Sequence, residues 1–413
     1  MPGVTATPPA PTLDIGITPT LSSVTVDNAA GPTSATLTVW LPEEFQPGEQ
    51  SAAGQTLAEQ VTAFDQARPD VQVDFYPKQV KGTGGIAGYL RSAPPVAPDV
   101  LPDLALLDRD TLSEMARAGL VVPIGSLIDP AVIEGLYPVA RAVGTVDGQL
   151  AGLPYLLEFD HAVYRETAFR RAPVSFQAVL DARQPQAVPA GAVGDVASAF
   201  LLQYMAAGGR LANDQGQPVL DAPALADVLT YYDNARKLGV FSAGNFQMSD
   251  ARDGWAAYRD ERAALVAMTS TVYLSEVDPA DGTGLMPLPT PGGEPFTLVR
   301  GWCWVIVARD PARQAAAMAL VNFLMNPVNQ GRYSMAVGWL PSQPGALSVW
   351  EQDRAAYAAF AGRMLDNGSA MPDAASRAIV GAAIQDAFEA TLLNNVSPVE
   401  AAAQAEAAVK NGP

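Results

Sequence analysis

Acidic side chains standing beside aromatic ones, where short apolar runs end, are the features of this sequence best suited to chemistry. The run Leu37-Thr38-Val39-Trp40 is followed by Glu43 and Glu44, and Leu104-Ala105-Leu106-Leu107 by Asp108, Arg109 and Asp110. Leu153-Pro154-Tyr155-Leu156-Leu157 runs into a lone acid, Glu158, before apolar residues resume towards Tyr164. The run 264–268 gives way to Thr269, Ser270 and then Tyr273, and the run 302–307 carries Trp302 and Trp304 two residues apart. Carboxylates accept bidentate hydrogen bonds from hydroxyls, and aromatic faces stack on the apolar C–H face of a ring. This is the chemistry a sugar needs. Two of the same acids could instead serve a glycosidase, although no spacing in the sequence sets two of them across one scissile bond.

Each of these residues has a competing structural use. Trp40 suits core packing and cleft lining equally, and Glu43 and Glu44 suit a solvated face. Asp108 and Asp110 both fit the N-cap of a following helix, and one of the pair is expected at a ligand. Glu158 carries the strongest expectation, because an acid inside an apolar extended run needs a reason: a gap to face, or a partner such as Arg165. Trp302, at the start of its strand, is the stacking candidate, with Trp304 on the same side. His161 reads as a satisfied structural histidine, and Trp255, Trp339 and Trp350, in helical or turn contexts, read as packing residues. Phe200 and Tyr204 also read as core. The Gly-rich KGTGG at 81–85 lacks the strand and helix of a phosphate cradle, and DPADG at 278–282 is too short for a calcium loop.

Composition narrows the classes of function. With 413 residues, 49% of them hydrophobic, the chain can bury a large core spread over two or three domains. Its formal charge of −18 disfavours nucleic acid and anionic membrane surfaces as partners. Cys303 and His161 are the only residues of their kinds, so no intrachain disulfide, cysteine-based zinc site or histidine-dependent triad is expected, and neither a metal nor a cofactor. No run is long and apolar enough to span a bilayer. Residues 1–34, rich in Pro, Thr, Ser and Ala, read as a flexible tether, and no signal peptide is apparent.

Periodicity supplies the elements that must position these groups. Alternation predicts strands at 36–40 and 71–75, with a helix over 55–67 between them carrying Leu57, Val61 and Phe64 on one face. A third strand is expected at 102–107, then a helix with capping-box spacing at Thr111 and Glu114 that stops at Gly119. Strand, helix, strand, helix in this order predicts a parallel α/β sheet with right-handed crossovers. Asp147-Gly148 reads as a hairpin turn. Beyond it the pattern is mostly helical, with strands at 264–268, 284–288 and 302–307 and a polar loop at 269–271.

The stretch VDGQLAGLPYLLEFDHAVYR at 146–165 resembles the hinge of the extracellular solute-binding proteins that feed ABC importers, the carbohydrate-type group that includes the maltose-binding protein. LTVW, PDLALLDRDTLSEMARAGLVVPI, AALVAMTSTVY, GLMPLPTPGG and GWCWVIVARDPARQAAAMALVNFL extend the likeness, in order, over roughly 36–410. The resemblance implies a two-lobe, type II periplasmic-binding-protein-like α/β fold with about three crossings near Tyr155, Met286 and Pro311. It assigns 35–157 with 286–311 to one lobe, and 158–285 with 312–413 to the other. It implies a non-catalytic, monomeric receptor outside the cytoplasm, lipid-anchored in its precursor, delivering a sugar to ABC permease subunits. The expected ligand contacts are Trp40, Glu44, Asp108, Asp110, Tyr155, Glu158, Thr269, Ser270, Tyr273, Trp302 and Trp304. Two stacking tryptophans of the maltose-binding protein are replaced, at Leu107 and near Ile379 and Val380, which points away from a maltodextrin. A ligand sensor uncoupled from transport is the remaining alternative.

Overall fold

The computed structural model describes residues 35–80, 82, 84–92, 100–192, 196–278, 282–350 and 354–412. The tether expected over 1–34 lies outside them, as does part of each of the two Gly-containing turns at 81–85 and 278–282. The strands are β1 (Ala35–Pro42), β2 (Val71–Lys78), β3 (Leu104–Asp108), β4 (Thr145–Val146), β5 (Gln149–Leu150) and β6 (Leu153–Arg165). They continue with β7 (Gln186–Ala187), β8 (Leu265–Thr269), β9 (Thr283–Met286), β10 (Leu298–Ile306), β11 (Leu340–Pro341) and β12 (Ser369–Ala370). The main sheet runs β2-β1-β3-β10-β6-β8-β7, with β9 and β11 also on β6 and β12 on β10.

The parallel arrangement expected from the strand–helix alternation holds for β1, β2 and β3. It fails at the sheet's centre, where β10 enters antiparallel to both β3 and β6. Alternation along the chain reports only on neighbours in sequence, and β10 arrives from almost two hundred residues beyond β3. The expected hairpin forms between β4 and β5, with Asp147 at φ 48° and Gly148 at φ 80°. Two left-handed residues give the turn whose twist matches that of its strands.

One strand serves both lobes. The early part of β6 pairs with β10 and β11, and its later part, Asp160–Arg165, with β8 and β9. Pro154 has no N–H to offer, and the β6–β10 register shifts where it faces Cys303, so the irregularity falls where the ladder is already interrupted. At the junction Val299 of β10 faces Phe159 of β6 on one side and Ala370 of β12 on the other. Strands β6, β10 and β12 thus meet side by side at Phe159, Val299 and Ala370.

The helices Pro311–Leu324 and Pro327–Val337 pack against the N-terminal part of the chain. There Phe323 packs edge-on to Phe64, the Gln60 amide donates to the Asn329 carbonyl at 2.8 Å, and the Tyr333 hydroxyl donates to the Phe45 carbonyl at 3.1 Å. Strand β9 pairs with the later part of β6, where Met286 faces Ala162. The later helices Ala382–Leu392 and Pro398–Asn411 follow, and Phe388 stacks on Phe200 at 3.7 Å.

Two strand-to-helix junctions are tighter than the sequence suggests. Asp108, not Thr111, caps the helix Arg109–Arg117, and Thr269 caps Ser270–Glu276 where a polar loop is expected. A capping oxygen on the last strand residue lets the helix start at once.

His161, fully buried behind the hinge, sits among Phe159, Tyr273, Tyr357 and Phe360, with its Nε2 3.2 Å from the Tyr357 hydroxyl. Burial holds its pKa down to about 4 from an ordinary 6.5, against the pull of the Ala162 carbonyl and Asp160. The unfolded chain therefore binds a proton between these values that the native state refuses. The contribution is complete above pH 6.5 and is lost as pH falls, the loss levelling off below pH 4 at about 3 kcal/mol. Glu44, whose carboxyl is pushed up by burial and by Glu158, works in the opposite sense. Denaturant unfolding of His161→Gln between pH 7 and 4 is expected to flatten this acid limb. Wild-type and variant curves that stay parallel would locate its source elsewhere.

Candidate functional site

In an extended strand, residues two apart share a face, so Glu158 and Asp160 of β6 point the same way. Arg300 of β10 stands directly opposite Glu158 in the ladder and reaches both acids. Its Nε donates to Glu158 Oε2 at 2.7 Å, and its two terminal nitrogens donate to the Asp160 carboxylate at 3.0 and 3.2 Å. Burial opposes the guanidinium charge, but Asp160 and Glu158 outweigh it and hold the Arg300 pKa above its ordinary value. From the second lobe the Ser198 hydroxyl donates to Asp160 at 2.6 Å, and Thr271 donates to the other Glu158 oxygen.

A cavity of about 370 Å³ opens on this network, within the range of small-molecule sites. The first lobe contributes Asp108, Arg109, Asp110, Trp302 and Trp339, and residues beyond the crossings contribute Val196, Ser198, Leu201, Met371 and Arg377. Trp302 and Trp339 meet at 6.3 Å and 72°, and both lie edge-on to Phe45, which fixes an aromatic wall. Asp108 accepts from the Asp110 and Thr111 amides at 3.0 Å each and from the Thr111 hydroxyl at 2.8 Å. Asp110 takes two hydrogen bonds from Arg377, the shorter 2.8 Å, which tie the lobes across the cleft. Arg109 is fixed by the carbonyls of Met371, Ala142 and Val143.

A second chamber of about 250 Å³ lies beyond Arg300 and is lined mainly from the second lobe, including Thr269, Met268, Ala197 and Asp250. The two share Val196, Ser198 and Arg300 as a partition.

Of the residues expected from sequence, the larger chamber brings together Asp108, Asp110, Glu158 and Trp302, and the smaller one takes Thr269. The others lie apart. Trp40 is buried edge-on to Tyr89, with the Lys78 ammonium 4.5 Å above its ring. Tyr155 is 1% exposed and stacks on Tyr333 beside Trp304, itself in the core. Tyr155 falls at the irregularity of the β6–β10 ladder, where Trp302 faces Leu156 and Cys303 faces Pro154, so it is the unpaired residue of β6 and packs into the core. Ser270 is fully buried and accepts from the Phe159 amide, and Tyr273 stacks on Tyr357 at 4.2 Å. Glu44 lines neither chamber, although Glu158 perturbs its charge.

Sequence reasoning passed over Arg300, Arg377, Ser198 and Trp339. Arg300 was detectable by the argument used for Glu158, as a charge inside the apolar run LVRGWCWVI that needs a partner in another such run. Trp339, expected as packing, is half-buried and forms part of the cavity wall. Nothing local distinguishes it.

The model of the family described as bacterial extracellular solute-binding protein matches residues 51–361. No curated relative matches the chain. Among solved structures, the sugar-binding protein MalE from Xanthomonas citri superposes with a TM-score of 0.72 at 19% identity, covering 91% of this chain and 97% of its own. The cyclic α-maltosyl-1,6-maltose binding protein from Arthrobacter globiformis gives 0.70 at 19% identity, with 92% and 100% covered. Maltose-bound MalE3 of T. maritima gives 0.69 at 19% identity, with 91% and 99% covered. At these identities the likeness is one of fold.

Proposed function

We propose, for a chain that belongs to the bacterial extracellular solute-binding protein family, that it captures a carbohydrate between its lobes and hands it unaltered to the membrane subunits of an ABC importer. The observation that carries this reading is the larger chamber itself, where the edge-to-face Trp302–Trp339 wall lies in one cavity with the hydrogen-bonded carboxylates of Asp108, Asp110 and Glu158. Aromatic faces take the apolar side of a sugar ring, and fixed polar groups orient its hydroxyls. The neighbours of like fold are, by name, sugar- or maltose-binding proteins, which supports the same class of solute.

The carboxylates a glycosidase would use are engaged elsewhere: Asp108 as a helix cap, Asp110 with Arg377, Glu158 with Arg300 and Thr271. Such groups hold a ligand better than they trade protons. Closure about the junction of β6, β10 and β12 would bury the solute and present the closed form to the permease. No helix among the described residues is long and apolar enough to cross a membrane. Attachment through a lipid on the N-terminal tether is part of the same proposal.

A thermal-shift panel of sugars, polyols, amino acids and sugar phosphates tests it. Ligand at 100 times its Kd adds about 2.7 kcal/mol to native stability, so a carbohydrate raises the melting temperature by several degrees. Shifts confined to amino acids would discard the sugar, and sustained release of product from a chromogenic glycoside would discard the receptor.

A further inference from the structure

Beyond Arg300 the cleft changes character. The larger chamber offers two indole faces, whereas no aromatic residue lines the smaller one among the described residues. Its walls are small and aliphatic, with Val196, Ala197, Ala199, Ala267, Met268 and Leu288 prominent.

The polar groups there already have partners. Asp160 takes both terminal nitrogens of Arg300 and the Ser198 hydroxyl. Asp250 caps the helix Ala251–Arg259, accepting from the Arg252 amide at 2.8 Å and the Asp253 amide at 3.2 Å. The Ser249 hydroxyl lies 3.2 Å from Asp253, and the Thr269 hydroxyl meets Thr271 at 2.8 Å while accepting from the Val272 amide. A second sugar ring placed here would bury hydroxyls against aliphatic walls with few uncommitted partners, and an unmatched buried hydroxyl is costly. An aliphatic group would lose nothing by burial and gain the transfer from water.

Resting on the carbohydrate reading above, we propose that the solute has two unlike ends: a hydroxylated ring against Trp302 and Trp339, and a compact aliphatic end in the chamber beyond Arg300. Two kinds of carbohydrate carry such an end: deoxy sugars, with a methyl in place of a hydroxymethyl group, and glycosides of short alkyl alcohols. The linkage passes over the partition formed by Arg300, Ser198 and Val196.

Calorimetric titration of the full chain tests this. The sugar that raises the melting temperature is compared with its 6-deoxy counterpart, its methyl to butyl glycosides, and a disaccharide that extends it by a second hydroxylated ring. Each methylene seated in the chamber tightens Kd by about fourfold. A gain along the alkyl series identifies an aglycone, and a gain confined to the 6-deoxy sugar identifies a deoxy sugar. Ala199→Leu and Ala267→Leu, each filling the chamber from a different element, are expected to erase the gain while leaving the parent sugar within about twofold. If one variant fails to fold by circular dichroism, the other serves, and the wild-type series stands without either. A tightly bound parent sugar with flat affinity across both series, or tighter binding of the disaccharide, overturns this inference and leaves the receptor intact. Absence of binding by any carbohydrate overturns the receptor reading, and this inference with it.

Discussion

Replacing Arg300 by methionine is expected to destabilise the native protein by about 3–5 kcal/mol, the usual cost of breaking a buried ion pair from one side. The side chains of Glu158 and Asp160 are only 13% and 7% exposed, so the loss of Arg300 strands two carboxylates close together at the hinge. The combined variant Arg300→Met, Glu158→Gln, Asp160→Asn should recover most of the stability, because it removes the charges along with their partner. Urea unfolding of the three proteins decides the matter. A single variant within about 1 kcal/mol of wild type would mean that water compensates the acids and that Arg300 is not the keystone of the junction.

Replacing Trp339 by alanine is expected to weaken solute binding by about 2 kcal/mol, roughly thirtyfold in Kd, the scale at which a buried aromatic anchor acts in recognition. Its ring is half-buried and reaches the cavity, so most of its loss should register in affinity rather than in folding. Trp302→Ala is the informative contrast. Trp302 is 8% exposed and packs against Phe45 at 5.2 Å, so its removal should cost both affinity and about 3 kcal/mol of stability. Titration calorimetry for the first quantity and unfolding for the second separate the two roles. Unchanged affinity in both variants would show that the solute does not stack on this wall.

Trp302, expected at the start of its strand, lies midway along β10 and lines the larger chamber from there. Trp339 follows a helix in a segment with no periodic signal, and its place beside Trp302 depends on Pro327–Val337 packing onto the first lobe. Tyr155 sits at the break in the β6–β10 register and packs on Tyr333 and Trp304, a placement that no local spacing reports. Asp108 caps its helix, as its spacing suggests, and also lines the larger chamber.

The sequence by itself determined the local elements: the Asp147-Gly148 turn, the apolar strands, and the acid in β6 that required an explanation. These depend on interactions within a few residues, which composition and spacing encode directly. Only the tertiary structure decided that β10 lies between β3 and β6, that helices 311–337 pack against Phe45, Gln60 and Phe64, and that Arg300 answers both Glu158 and Asp160. Those choices rest on contacts between segments more than a hundred residues apart, where many pairings satisfy the same hydrophobic pattern. The one that forms is the one that pairs the buried charges and fills the core at the same time.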